Sequence, residues 1–128
     1  MIIQIEPQSD IPIYTQITNQ IIEGIARGYL HPGDSLPSVR AFAGDLGVNM
    51  HTVNKSYHEL EKKGIIRVVP KSGAVINFPN EMGEKNCHFE RISSQFQPVI
   101  AEALVLGIKK EEIEKLVSAM IQDFKGKS

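Results

Sequence analysis

The stretch Gly33-Asp34-Ser35-Leu36-Pro37-Ser38-Val39-Arg40, followed by Gly47-Val48-Asn49-Met50-His51-Thr52-Val53-Asn54-Lys55, constrains this chain more than any other. Residues 37–46 carry Val39, Phe42, Ala43 and Leu46 at helical spacing and predict a helix. Gly47 fits the position just past its end, where the backbone turns left-handed. Asn49 is a good helix cap, and Val53, Tyr57 and Leu60 form the inward face of a further helix that runs to about Lys63 and stops at Gly64. Only a tight turn joins these two helices. The outward face of the second carries His51, Thr52, Asn54, Lys55 and His58.

The flanks complete a pattern. Asp10-Ile11-Pro12 reads as a helix start, with Asp10 as cap and Pro12 in the first turn. Tyr14, Ile17, Ile21 and Ile25 make an apolar stripe, and Gly28 ends it before the turn His31-Pro32-Gly33. Residues 2–5 alternate and predict a short N-terminal strand. Residues 65–69 and 74–78 are rich in β-branched side chains, with Pro70-Lys71-Ser72-Gly73 between them as a hairpin turn. Helix, helix, turn, helix and hairpin in this order describe a winged helix-turn-helix, mainly α with a small β-wing (an α+β fold).

Pro79-Asn80-Glu81-Met82-Gly83 punctuates the chain and predicts a boundary between domains at 1–79 and 80–128. The tail predicts a two-helix hairpin. Phe96, Val99, Ile100, Ala103 and Leu104 form one stripe, ended by Gly107. Pro98 lies either in the first turns of that helix or inside one that began earlier. Ile113, Leu116, Val117, Met120, Ile121 and Phe124 show the clearest helical period in the chain.

A chain of 128 residues allows one domain, or one with a small appendage. No apolar run is long enough to cross a membrane, and the start Met1-Ile2-Ile3-Gln4-Ile5-Glu6 has neither a basic leader nor a cleavage site. With Cys87 as its single cysteine the chain cannot form an internal disulfide, which suits a reducing cytoplasm. The net charge is -1. A field that attracts DNA must therefore come from placement of Arg40, Lys55, Lys62, Lys63, Arg67 and Lys71 on one face, because phosphate neutralisation supplies much of the affinity for DNA.

The outward face of the third helix is the candidate reader of base edges. Asn49, His51 and Thr52 bring short donors and acceptors to its N-terminus, where free amides also attract phosphate. Asn54 and Lys55 follow on the same surface. For Asn49 capping is the primary role. Arg40 can grip guanine or phosphate in a bidentate way, or form a surface ion pair with Asp34 or Asp45. Ser38 can donate to phosphate and cap its helix at once. Lys71, Ser72 and Gly73 either approach DNA at the hairpin tip or form an ordinary solvated turn.

Other chemistries find little support. His31, His51, His58, His88 and Cys87 show no metal-ligand spacing. The chain carries no glycine-rich phosphate loop, no nucleophile elbow and no evident acid pair, so an enzyme and a cofactor are not expected. The stripe through Phe96, Ile100 and Leu104 and that through Ile113, Leu116, Val117, Met120, Ile121 and Phe124 are too apolar to stay exposed. Either they pack on the winged helix or, as favoured here, two copies bury them in a homodimer.

With these residues in place the chain resembles the GntR family of bacterial transcription regulators. The likeness spans about residues 9–78. It rests on Ile13-Tyr14-x-Gln16-Ile17, on Gly28-x-Leu30-x-Pro32-Gly33-Asp34-x-Leu36-Pro37-Ser38-Val39-Arg40, on Ala43, Leu46-Gly47-Val48-Asn49 and Thr52-Val53, and on Tyr57, Leu60-Glu61 and Gly64-Ile65-Ile66. The resemblance implies DNA contact by Ser38, Arg40, Asn49, His51, Thr52 and the wing. It also implies repression from an inverted-repeat operator, often relieved by a small-molecule effector that no residue here identifies. The short tail is similar to the YtrA-type branch, whose members often regulate neighbouring ABC-transporter genes and dimerise through the tail. Met50 stands where that branch often has proline, and Lys109 where a capping serine is common. A winged helix that assembles with other proteins and does not bind DNA specifically is the competing reading, favoured only by the near-neutral charge.

Overall fold

The computed structural model describes residues 3–126, which form two compact units, the first ending at Met82 and the second beginning at Gly83. In the first unit, helix α1 (Ile13–Ala26) is followed by strand β1 (Ser35–Leu36), α2 (Val39–Leu46), α3 (Met50–Lys62), β2 (Ile66–Val69) and β3 (Gly73–Ile76), and a 3-10 turn at Pro79–Glu81 closes it. The architecture is the expected winged helix-turn-helix, mostly helical with a small antiparallel sheet.

Periodicity explains the core. Ile17 and Ile21 from α1, Phe42 and Ala43 from α2, and Val53, Tyr57 and Leu60 from α3 meet Leu36, Ile66, Ala74 and Ile76 of the sheet. Each fully buried aliphatic side chain contributes roughly 1.5–3 kcal/mol. Two polar side chains join them without penalty. The hydroxyls of Thr18 and Ser56 lie 2.8 Å apart, and Thr18 Oγ1 donates to the Tyr14 carbonyl at 2.8 Å. Thr18 thereby spends its only proton, so Ser56 is the donor between the two hydroxyls.

The sheet runs in the order β1-β3-β2, with Leu36 opposite Ala74 on one side of β3 and Val68 opposite Ala74 on the other. Sequence reasoning missed β1. Two residues show no alternation, and the strand exists because β3 offers an edge there. Backbone bonds from Gly33 N to the Ile76 carbonyl and from Ile76 N to the Asp34 carbonyl extend the pairing.

The expected N-terminal strand is corrected. Ile2 lies outside the described residues, and residues 3–6 form no strand. Side-chain amides on α1 replace one. Gln20 accepts from Gln4 N at 3.0 Å and donates to the Gln4 carbonyl at 2.7 Å. Gln16 does the same for Glu6, at 2.8 and 3.1 Å. The alternation was real, since Ile3 and Ile5 pack on the core. The start of α1 is also corrected: Pro12, not Asp10, occupies the cap position, and no side chain caps it. The second helix begins at Val39, two residues later than expected, because Ser38 is its cap.

In the second unit, α4 (Lys85–Val105) and α5 (Lys110–Lys125) are joined by a short turn. Pro98 lies inside α4, so the helix began well before the Phe96 stripe. Lacking an N–H, Pro98 leaves the Ser94 carbonyl without its helical partner. Lys109 supplies no side-chain cap to α5, but Glu112 accepts from its backbone N–H at 2.9 Å, half of a capping box. No residue of α4 or α5 is buried among those described.

Candidate nucleic-acid interface

The turn between α2 and α3 builds the site. Gly47, with φ of 70°, takes the left-handed conformation that ends α2, and its missing Cβ makes that inexpensive. Two residues later Asn49 caps α3, its Oδ1 accepting from His51 N at 2.7 Å. Ser38 caps α2 in the same way, accepting from Ala41 N at 3.2 Å. That bond uses a lone pair, so the Ser38 O–H stays available to an acceptor from outside.

The N-terminal turn of α2, the first turns of α3 and the wing enclose an open groove of about 520 Å³. Ser38, Arg40, Asn54, Lys71 and Gly73 line it, so five of the residues singled out from sequence come together here. Arg40 is exposed and, among the described residues, pairs with neither Asp34 nor Asp45. Asp34 instead accepts from His31 N at 2.8 Å and lies 3.5 Å from the His31 ring.

The other expected residues sit outside this groove. His51 is exposed and Thr52 half-buried in the first turn of α3, ahead of the groove-lining Asn54. Lys55 is exposed, and its ammonium lies 4.3 Å from the centre of the Tyr14 ring on α1. Asn54 and Lys55 therefore serve two different sides of α3, one toward the wing and one toward α1.

The wing differs from its expected form in one respect. Ser72 N donates to the Val69 carbonyl at 2.9 Å, and Lys71 holds a positive φ of 67° in that turn. Pro70 and a left-handed residue after it are the central pair of a type II turn. Lys71 and Ser72 are exposed at the tip, but Gly73 is buried. A Cβ on Gly73 would stand 2.2 Å from the Leu36 carbonyl oxygen. Its glycine character therefore serves the close approach of β3 to the segment before α2, which holds the wing beside Ser38 and Arg40.

Met50, noted in the sequence as a departure from the branch pattern, lines the groove, and sequence reasoning missed Val68 and Val69 beside it and Tyr14 as the partner of Lys55. Met50 and Asn54 are one turn apart on α3, a spacing legible in the sequence. The Lys55–Tyr14 contact joins two elements 41 positions apart and has no local signal. Among the described residues no group of three or more His, Cys, Asp or Glu could hold a metal ion, and no helix is long and apolar enough to cross a membrane.

In the tail, Phe96, Leu104, Leu116, Met120 and Ile121 are exposed, and Ile100, Ile113, Val117 and Phe124 are partly so. Val99, Val105 and Leu106 add to this apolar surface at 64%, 85% and 69% exposure. Isolated apolar residues on a surface are ordinary, whereas here many lie on two consecutive helices.

A capped helix pair with a wing beside its second helix defines a winged-helix DNA-binding protein. The family model for bacterial regulatory proteins of the gntR family matches residues 13–76. The HTH-type transcriptional repressor YtrA of Bacillus subtilis is 36% identical over 97% of this chain and 95% of its own. A solved structure described as a transcriptional antiterminator from Listeria monocytogenes EGD-e superposes with a TM-score of 0.89 at 32% identity, over 100% of this chain and 96% of that one. The DNA-binding domain of AraR, solved in complex with operator ORX1, matches 56% of this chain and 88% of its own with a TM-score of 0.50 and 26% identity. This chain belongs to the GntR family, and it is a DNA-binding transcriptional regulator, not an enzyme.

Proposed function

We propose that this regulator is a repressor that binds an inverted-repeat operator as a homodimer. The groove that gathers Arg40, Asn54, Ser38 and Lys71 beside the N-terminus of α3 is the observation that carries the reading. In this reading α3 enters the major groove. Arg40 and Asn54 address base edges there, and His51 and Thr52 address a base or phosphate at the helix start. Ser38, Lys55, Lys71 and Ser72 hold the flanking phosphates. Asn49 keeps the helix start in shape, and Gly73 seats the wing.

The apolar surfaces of α4 and α5 are the proposed dimer interface. Two copies that bury them present two reading helices related by a two-fold axis, as a palindromic site requires. The name of the similar YtrA supports repression, and the AraR complex supports an operator as the partner. The likeness to the YtrA-type branch extends the proposal to transporter genes as targets.

The test is a footprint of the purified protein on its own upstream DNA. Two protected half-sites about one helical turn apart, or a multiple of that, support the reading. A single unpaired footprint removes the homodimer. No footprint, with capture of another protein, favours the competing reading of an interaction module, which the near-neutral charge alone recommends.

A further inference from the structure

Met50 lines the groove but has no part in that reading. Met50 is the first helical residue of α3 and is 41% exposed, although it is apolar. It sits in the groove wall with Arg40 and Asn54, and Val68 and Val69 of the wing supply further apolar surface there. A thioether carries no charge and no donor and is only a weak acceptor, so it cannot hold a phosphate and grips a polar base edge poorly. In a major groove the apolar group on offer is the C5-methyl of thymine. The unbranched, flexible Met side chain adapts to such a contact from a helix N-terminus better than a rigid residue does.

We propose that Met50 is a specificity-determining residue that packs against a thymine methyl group in each half-site. The inference rests on the DNA-reading role of the groove. Within that role it assigns one base: Arg40 and Asn54 supply hydrogen bonds to their positions, and Met50 selects thymine at the position between or beside them. The selection is hydrophobic, so it adds no phosphate contact and is insensitive to salt.

The experiment first locates the footprint on the upstream DNA. Each thymine in it is then replaced, one at a time, by deoxyuridine, which lacks only the methyl group. Affinities are measured for the wild type, Met50→Ala and Met50→Leu. One thymine per half-site is expected to cost the wild type about fourfold in affinity when demethylated, the equivalent of one buried methylene. Met50→Ala is expected to bind the thymine and deoxyuridine duplexes equally at that position, and Met50→Leu to keep part of the preference. Met50 is exposed, so unchanged circular dichroism is expected for both variants. A wild type indifferent to every substitution overturns the proposal. So does a Met50→Ala protein that keeps the full methyl preference, which would move the contact to Val68. A wild type without specific binding to the upstream DNA fails earlier, at the reading of the groove itself.

Discussion

The phenol of Tyr57 donates to the Pro37 carbonyl across 2.7 Å, tying the middle of α3 to the residue before the cap of α2. Pro37 adjoins Ser38, and Arg40 is the second residue of α2, so this bond fixes the reading helix against the element that carries its arginine. Burial holds the Tyr57 hydroxyl protonated well above the usual tyrosine range.

Tyr57→Phe is expected to lower stability by about 1 kcal/mol in urea denaturation at neutral pH. The pH dependence has a definite sign. Above about pH 10 the unfolded chain ionises Tyr57 while the folded chain does not, so the folded state loses stability as pH rises. The wild type should therefore show a steeper alkaline loss than Tyr57→Phe, by up to about 1.4 kcal/mol per pH unit. Equal slopes between pH 9 and 11 would mean that the hydroxyl is not held in this environment.

The buried Thr18–Ser56 pair predicts non-additivity. Thr18→Val removes the acceptor of the Ser56 proton and should cost about 1–3 kcal/mol, the penalty of an unsatisfied buried donor. Adding Ser56→Ala should recover part of that loss. Denaturant midpoints of the two singles and the double variant measure it, and simple additivity would exclude the bond.

Gly73→Ala should displace the wing. The new Cβ meets the Leu36 carbonyl at 2.2 Å, and φ there is 107°. A destabilisation of about 1–3 kcal/mol is expected from the backbone strain alone. A thermal melt matching that of the wild type would show that the β3 edge lies farther from Leu36.

Tyr14 positions Lys55 through the 4.3 Å ring contact. A lysine already ordered over a ring loses less freedom on meeting a phosphate. Lys55→Ala should reduce the slope of log affinity against log salt by about 1. Tyr14→Leu should weaken binding in the presence of Lys55 and have little further effect without it, whereas Tyr14→Phe should behave as wild type. An equal effect of Tyr14→Leu in both backgrounds would leave Tyr14 a packing residue only.

The proposed dimer interface on α4 and α5 predicts that Leu116→Asp with Met120→Asp yields folded monomers, because two charges cannot be buried unpaired. Sedimentation at micromolar concentration reads this directly. An intact dimer would relocate the interface.

How much of this was legible depended on how local the cause was. The caps at Ser38 and Asn49, the Gly47 turn and the core stripe Val53, Tyr57, Leu60 are set by neighbours within four residues, and the sequence displays them. The two-residue β1 needs an edge supplied by Ala74 and Val75, and the segment from Ile3 needs amides from Gln16 and Gln20, so neither was readable along the chain. Gly73 was legible as a special backbone position, but its reason was not. The residue it accommodates, Leu36, lies in a different element. In the groove, Arg40 and Asn54 announce themselves as polar and exposed. Met50 stands out in the sequence only as a departure from the branch pattern, and the fold shows it exposed in the groove wall.

The most direct measurement of the central claim compares the wild type and Arg40→Ala on the upstream DNA and on random duplex, each across a range of salt. Wild-type binding at least about 1,000-fold tighter to the specific site is expected. Arg40→Ala, still folded, should lose about 5- to 150-fold of that preference, the worth of one good base contact. Wild-type binding no tighter than to random duplex, or an unchanged preference in Arg40→Ala, would contradict that claim.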